Sequence, residues 1–144
     1  MTEADRPPVV DSPQATGPDP DSLYRSLFDE VSDAIFIHDR EGRFLDVNRA
    51  ACEHLDYTRE ELLSMSVQDI DAPEHAAHVT ARVEELDQGA VTRETIHVRR
   101  DGTRVPSEYH ARLIDYHGRP AVLSVVRDVT ARKQAEQQLR LQAQ

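Results

Sequence analysis

Residues 121–136 read Ala-Val-Leu-Ser-Val-Val-Arg-Asp-Val-Thr-Ala-Arg-Lys-Gln-Ala-Glu, and this stretch decides the fold. Ala121 to Arg127 has the alternation of a strand. Beyond it Val129, Ala135 and Leu139 recur at roughly heptad spacing, with Gln and Arg between them, as on one face of a helix. Asp128-Val129-Thr130 joins the two. A sheet's last strand that feeds a helix is a mechanical connection, because strain or a register change in the sheet passes directly into the helix. About one and a half heptads cannot hold a coiled coil alone. The tail is therefore read either as the start of a dimerising helix or as a helix packed on its own domain.

Working outward, Tyr116-His117-Gly118 is a turn into that strand, and Thr103 to Ile114 is the strand before it. Asp101-Gly102 is a strong hairpin signal. Thr92 to Arg99 alternates with Ile96 and Val98 on one face. On that reading His97 and His110 lie on the other face, either as a pair across the ladder or as members of a polar or partner-packed outer surface. Upstream, Ala34 to Asp39, the turn Arg40-Glu41-Gly42 and Arg43 to Val47 form a first hairpin. Asn48 caps a short helix to Leu55 with Ala51, Cys52 and Leu55 inward, and Thr58-Arg59-Glu60-Glu61 is a capping box. Glu74 to Leu86 reads as one longer helix ended by Gly89, with Ala77, Thr80, Ala81, Val83 and Leu86 as candidate contacts. Leu23, Leu27, Phe28 and Val31 stripe a helix that starts at Asp21 or Ser22. Two hairpins flanking small helices make an α+β domain whose helices cover one face of an antiparallel sheet.

Residues 1–20 hold five of the eight prolines and no apolar periodicity, so a disordered linker is expected there. The domain proper is placed at 21–130, and 131–144 as the opening of the C-terminal helix. A net charge of -10 disfavours nucleic acid and anionic membrane as partners. No apolar run approaches the roughly 20 residues of a spanning helix, and Met1 to Asp11 lacks a signal-peptide core. Cys52 is the single cysteine, which fits a reducing compartment, and a cytoplasmic location is expected. Lys133 is the single lysine among many acidic residues. That balance has two sources, a halophilic, high-salt cytoplasm or GC-rich coding bias.

Taken together, Ile35 to Asp39, Gly42, Asn48, Ala50, Leu55, Tyr57, Glu61, Leu62, Arg100-Asp101-Gly102, Gly118, Asp128-Val129-Thr130 and Arg132 to Glu136 resemble the PAS family of sensor domains in order and spacing. The resemblance covers roughly Leu23 to Gln138. It implies a five-stranded antiparallel sheet with short helices over one face and a ligand cavity between them. It also implies a sensory role, with output to an effector such as a histidine kinase or a chemotaxis-type transducer. Asp56 and Ser64 stand where the family commonly has glycine, and left-handed backbone is expected at both.

Several residues invite chemistry. Cys52 lies in Ala-Ala-Cys-Glu-His, unlike the flavin-bonding cysteine of light-sensing relatives, and reads as a small buried hydrophobe. His75 and His78 share a helix face, but the axial histidine of haem-binding relatives would fall near Glu84 or Glu85, so they read as solvent-exposed. Asn48 reads as a helix cap and Tyr57 as a packing ring. Thr80, Ser107 and Tyr109 are the cavity candidates, because buried hydroxyls need partners that a polar ligand or water supplies. Asp128, Val129 and Thr130 are the relay candidates. No catalytic motif is present, so the expectation is a non-enzymatic, cofactor-free and metal-free module that forms a homodimer and passes a small-molecule or protein cue to an effector. A haem or flavin sensor and a pure dimerisation scaffold are the alternatives.

Overall fold

The protein is described by a computed structural model covering residues 19–143. The expected linker thus lies outside the described residues except for Asp19 and Pro20, which belong to the first helix. Helix α1 (Pro20–Glu30) starts one or two residues earlier than the Asp21 or Ser22 that the sequence suggests. Asp19 Oδ1 accepts from Ser22 N at 2.9 Å, and Pro20 opens the helix where no amide hydrogen is needed.

The five strands β1 (Ala34–His38), β2 (Phe44–Val47), β3 (Val91–Val98), β4 (Arg104–Tyr116) and β5 (Arg119–Asp128) form one antiparallel sheet in the order β2-β1-β5-β4-β3. The stretch that opened the sequence reading is therefore a central strand. β5 pairs with β1 on one side and β4 on the other, which explains why Ala121, Val122 and Val126 are buried. The β4–β5 turn has positive φ at both His117 and Gly118, the backbone that a two-residue hairpin of this hand requires.

Between the hairpins run α2 (Arg49–Leu55), α3 (Arg59–Leu62), α4 (Val67–Ile70), α5 (Pro73–Ala76) and α6 (Val79–Glu85), closed by a 3₁₀ turn at Leu86–Gln88. Leu55, Leu62 and Ile70 pack with Phe36, Phe44 and Val47 under the β1–β2 half of the sheet. Val79, Val83 and Leu86 pack on Ala111 and Val122 under the other half. The opposite sheet face is covered in part by α1, whose Phe28 packs with Ile37 and Ala121. Arg25 fixes that helix by donating to the buried carboxylate of Asp46 at 2.8 Å. α7 (Thr130–Ala143) continues from β5.

Three sequence expectations are corrected. The single helix Glu74 to Leu86 is two helices, with Ala77 and His78 between them. The break resets the helical phase, so Val79 and Val83 face inward while Ala77, Thr80 and Ala81 are exposed. The faces of β3 are also inverted: Thr95 and His97 are buried, and Ile96 and Val98 are only half-buried. Backbone pairing fixes this phase, since Ala72 N donates to Ile96 O at 2.8 Å and Asp71 bridges His97. His97 stands opposite Val105 and His110 opposite Thr92, so the two histidines do not meet. Finally, Asp56 is left-handed (φ 63°), as expected, but Ser64 is not. The Ser64 hydroxyl instead donates to Glu61 O at 2.8 Å.

Candidate ligand cavity and relay junction

A cavity of about 60 Å³ lies between α6 and the inner sheet face. Most of its wall is apolar, built from Phe36, Phe44, Val79, Val83, Leu86, Val122 and Val126. Its polar wall consists of His38, Asp71, Arg82, Thr95, His97, Tyr109 and Ser124. The sequence candidates divide around it. Tyr109 lines the cavity, with the Arg82 guanidinium 5.9 Å from its ring centroid. Ser107 is fully buried but lies outside the wall, its hydroxyl donating to Val105 O at 3.0 Å. Thr80 is exposed, for the phase reason given above, and belongs to no such site.

The polar wall is organised around Asp71, which sequence reasoning missed. Arg82 Nη2 donates to Asp71 Oδ2 at 2.6 Å. Asp71 Oδ1 stands 3.4 Å from His97 Nε2, and His97 Nδ1 meets His54 Nε2 at 3.0 Å. A carboxylate that only accepts, set opposite Nε2, places the His97 proton there. His97 Nδ1 then accepts from His54 Nε2–H. The chain Arg82, Asp71, His97, His54 thus runs from the cavity to α2. Ser107 Oγ approaches His54 Nε2 at 3.5 Å, and Ser107 is the register partner of Asp128.

Burial disfavours additional charge along this chain. The His97 imidazole is pushed down to about 3, chiefly by burial, with His54, Arg82 and His75 adding to the effect. Burial likewise lowers His54, against the pull of Asp128, and lowers His38, whose Nδ1 is bonded to Asp39 O at 2.7 Å. Burial raises the Asp71 carboxyl despite the adjacent Arg82. Two buried polar atoms of the wall, Arg82 Nε and Thr95 Oγ1, have no hydrogen-bond partner.

The relay candidates lie at the end of β5. Asp128 Oδ1 accepts from Thr130 N at 2.8 Å and so caps the start of α7. Burial works against ionisation of Asp128, yet the hydrogen bonds from Thr130 and the nearby His54 and Arg99 hold its carboxyl below the usual range. Val129 is buried, and its amide donates to Pro106 O on β4 at 2.9 Å. One turn later, Lys133 Nζ and Arg132 Nη2 reach Glu94 on β3 at 2.6 and 2.8 Å.

Among the described residues no group of three His, Cys, Asp or Glu side chains could hold a metal, and no helix is long and apolar enough to cross a membrane. At about 60 Å³ the cavity is smaller than pockets for ligands of drug size, which measure roughly 300–1,000 Å³. Cys52 is half-buried against the α2 side of the core, and burial pushes its thiol up.

The five-stranded antiparallel sheet with its short helices defines an α+β domain, and comparison with known proteins gives its family. The family described as PAS fold matches residues 28–134. The chain is 35% identical over 123 residues to the methyl sulfide methyltransferase-associated sensor of Methanosarcina acetivorans, covering 84% of this chain and 12% of that protein. It superposes on the PAS domain of an HTR-like protein from Haloarcula marismortui with a TM-score of 0.70 and 27% identity, over 75% of this chain and 90% of that one. A domain of a sensory box sensor histidine kinase/response regulator from Geobacter sulfurreducens gives a TM-score of 0.64 and 31% identity, over 75% and 93%. This chain belongs to the PAS fold family.

Proposed function

We propose that this chain is a cytoplasmic, non-enzymatic, cofactor-free sensory input module that detects a small cue in the cavity beneath α6. The junction Asp128 to Thr130 passes the signal through α7 to an effector of the histidine kinase or chemotaxis-type transducer class. The observation that carries this reading is the line of polar groups from Arg82 at the cavity through Asp71, His97 and His54 to Ser107, whose register partner on β5 is Asp128. A change at the cavity has two arrangements to choose between, and the junction is mechanically downstream of both. The names of the similar proteins, a methyltransferase-associated sensor and a sensor histidine kinase, support the role and the effector class.

Relay through a homodimer is part of the proposal. Leu23, Leu27 and Val31 on α1 and Leu139 and Leu141 on α7 are exposed apolar side chains on the first and last helices. Replacing Leu27 and Leu139 together with Glu is expected to shift the chain from dimer to monomer in sedimentation. A monomeric wild type would remove this part of the proposal.

The relay has a test that needs no known cue. Asp71→Asn changes the cavity end of the line without touching the junction. Amide hydrogen exchange at residues 129–133 is expected to change about fivefold or more, an opening free-energy shift of roughly 1 kcal/mol. Adding Asp128→Ala is expected to abolish that response while β1, β4 and β5 stay protected. Exchange at 129–133 that ignores Asp71→Asn would end the relay reading.

A further inference from the structure

We infer that the cavity takes a small uncharged solute with one acceptor oxygen and a short apolar portion, held by Arg82 Nε and Thr95 Oγ1. This rests on the cavity being the cue site and adds the chemistry of what it admits.

Three observations lead there. The first is what the wall lacks. Arg82 Nε can only donate, and the Thr95 hydroxyl can donate; both are buried, unpartnered and part of one wall. Thr95 retains only 4% of its exposure. Buried donors without acceptors are costly, so this wall is completed by an acceptor from outside the chain.

The second is charge. Arg82 is already matched by Asp71, so the ionised groups of the wall sum to zero. His97 and His38 are held neutral by burial and do not offer a compensating positive charge. A carboxylate would leave one uncompensated negative charge against Val83, Leu86 and Val122, and an ammonium would set donors against donors. An uncharged oxygen acceptor supplies what the orphan donors of this wall lack and leaves the charge balance intact.

The third is size. A single water needs about 10–15 Å³ of such space, so about 60 Å³ admits a molecule of only a few non-hydrogen atoms. With most of the wall apolar, the remainder of the solute is a short hydrocarbon stub. Simple amides, ketones and alcohols meet all three conditions.

The test is a titration of the ¹⁵N-labelled 144-residue chain with three near-isosteres, propionamide, propionate and propylammonium, followed by NMR. Propionamide is expected to shift the amide resonances of Arg82, Thr95 and Val122 saturably, and to bind at least tenfold more tightly than either charged probe. Thr95→Val is expected to weaken propionamide about tenfold, the size of one lost hydrogen bond, whereas Thr80→Val, on the exposed side of α6, should leave it unchanged. If Thr95→Val fails to fold, the three-probe series on the wild type still decides. A charged probe that binds as well as propionamide would overturn the inference, as would absence of any saturable shift, which would mean that water alone completes the wall. Because occupancy is read here and relay is read from exchange at residues 129–133, either idea can fail while the other stands.

Discussion

Asn48 and His97 are both buried polar side chains beneath the same sheet, and their surroundings differ in kind. Asn48 is fully satisfied: its Oδ1 accepts from Ile35 N at 2.9 Å and Ala51 N at 3.0 Å, and its Nδ2 donates to Phe28 O at 3.1 Å and Asp33 O at 3.0 Å. It ties α1, β1 and α2 into one body, and its neighbours Val47, Ala51 and Leu55 have no exposure. His97 sits in a line of polar groups beside a void, and two atoms of the same wall lack partners. A saturated polar group inside dense packing specifies one arrangement. An unsaturated line beside free volume leaves room for a second arrangement. On the proposed function, one half of the inner layer holds and the other responds.

The sharpest way to break this contrast is Asn48→Ala. It strips a helix cap, takes the side-chain partner from the Ile35 amide and from the Phe28 and Asp33 carbonyls, and leaves Ala51 N only its bond to Asn48 O. A loss of about 3–5 kcal/mol in urea unfolding is expected from unsatisfied groups at roughly 1–3 kcal/mol each, partly offset by water. A loss under about 1 kcal/mol would mean that the hub is replaceable.

The cavity side should behave differently. Asp71→Ala alone leaves the Arg82 guanidinium without its counter-ion and is expected to cost about 2–3 kcal/mol. That is below the usual 3–5 kcal/mol for a broken buried pair, because Arg82 keeps 22% of its side-chain exposure. Replacing both partners by apolar groups, Asp71→Leu with Arg82→Met, is expected to recover most of that loss. If the double variant is as unstable as the single, the polar line is structural and the contrast with Asn48 disappears.

Acid sharpens the same comparison. His38, His54 and His97 all have folded values below the ordinary 6.5, so below that pH the unfolded chain binds protons that the folded chain refuses. Stability is therefore complete above about pH 6.5 and falls as pH drops through the window between 6.5 and, for His97, about 3. Asp71, raised by burial, acts with the opposite sign and offsets part of this loss at the acid end. His97→Gln removes one titrating group while keeping an amide to meet Asp71. Between pH 6 and 5 it is expected to flatten the slope of unfolding free energy by about 1 kcal/mol per pH unit. An unchanged slope would place the missing protons elsewhere.

The holding half of the molecule was readable because its signals are local. The Asn48 cap, the Thr58 to Glu61 capping box and the His117-Gly118 turn each act over two to four residues, and the structure contains all of them. The responding half was not readable because its partners are remote. Ile96 and Val98 alternate convincingly, yet Asp71 and His54, from 26 and 43 residues away, make the other face the buried one. Arg82 lies four positions past His78 in a stretch rich in charge, and no local pattern distinguishes it from a solvated arginine. A one-step phase shift at Ala77 and His78 was enough to move Thr80 from the expected wall to the surface.

The smallest effect expected concerns the start of α7. Arg132 and Lys133 meet Glu94, and Arg132 also approaches Glu108 at 3.5 Å. These side chains are well exposed, so the cluster contributes little to global stability, and Arg132→Ala with Lys133→Ala should leave the urea midpoint unchanged. What the cluster does is hold the first turn of α7 against β3 and β4, on top of the backbone bond from Val129 to Pro106. Removing it is expected to speed amide exchange in residues 131–136 a few-fold and nowhere else. At 1 M salt, where screening acts within about 3 Å, the wild type should approach the variant. Salt-insensitive exchange would show that the Asp128 cap and the Val129 anchor suffice, and the contrast between holding and responding would then end at the sheet rather than extend into the helix.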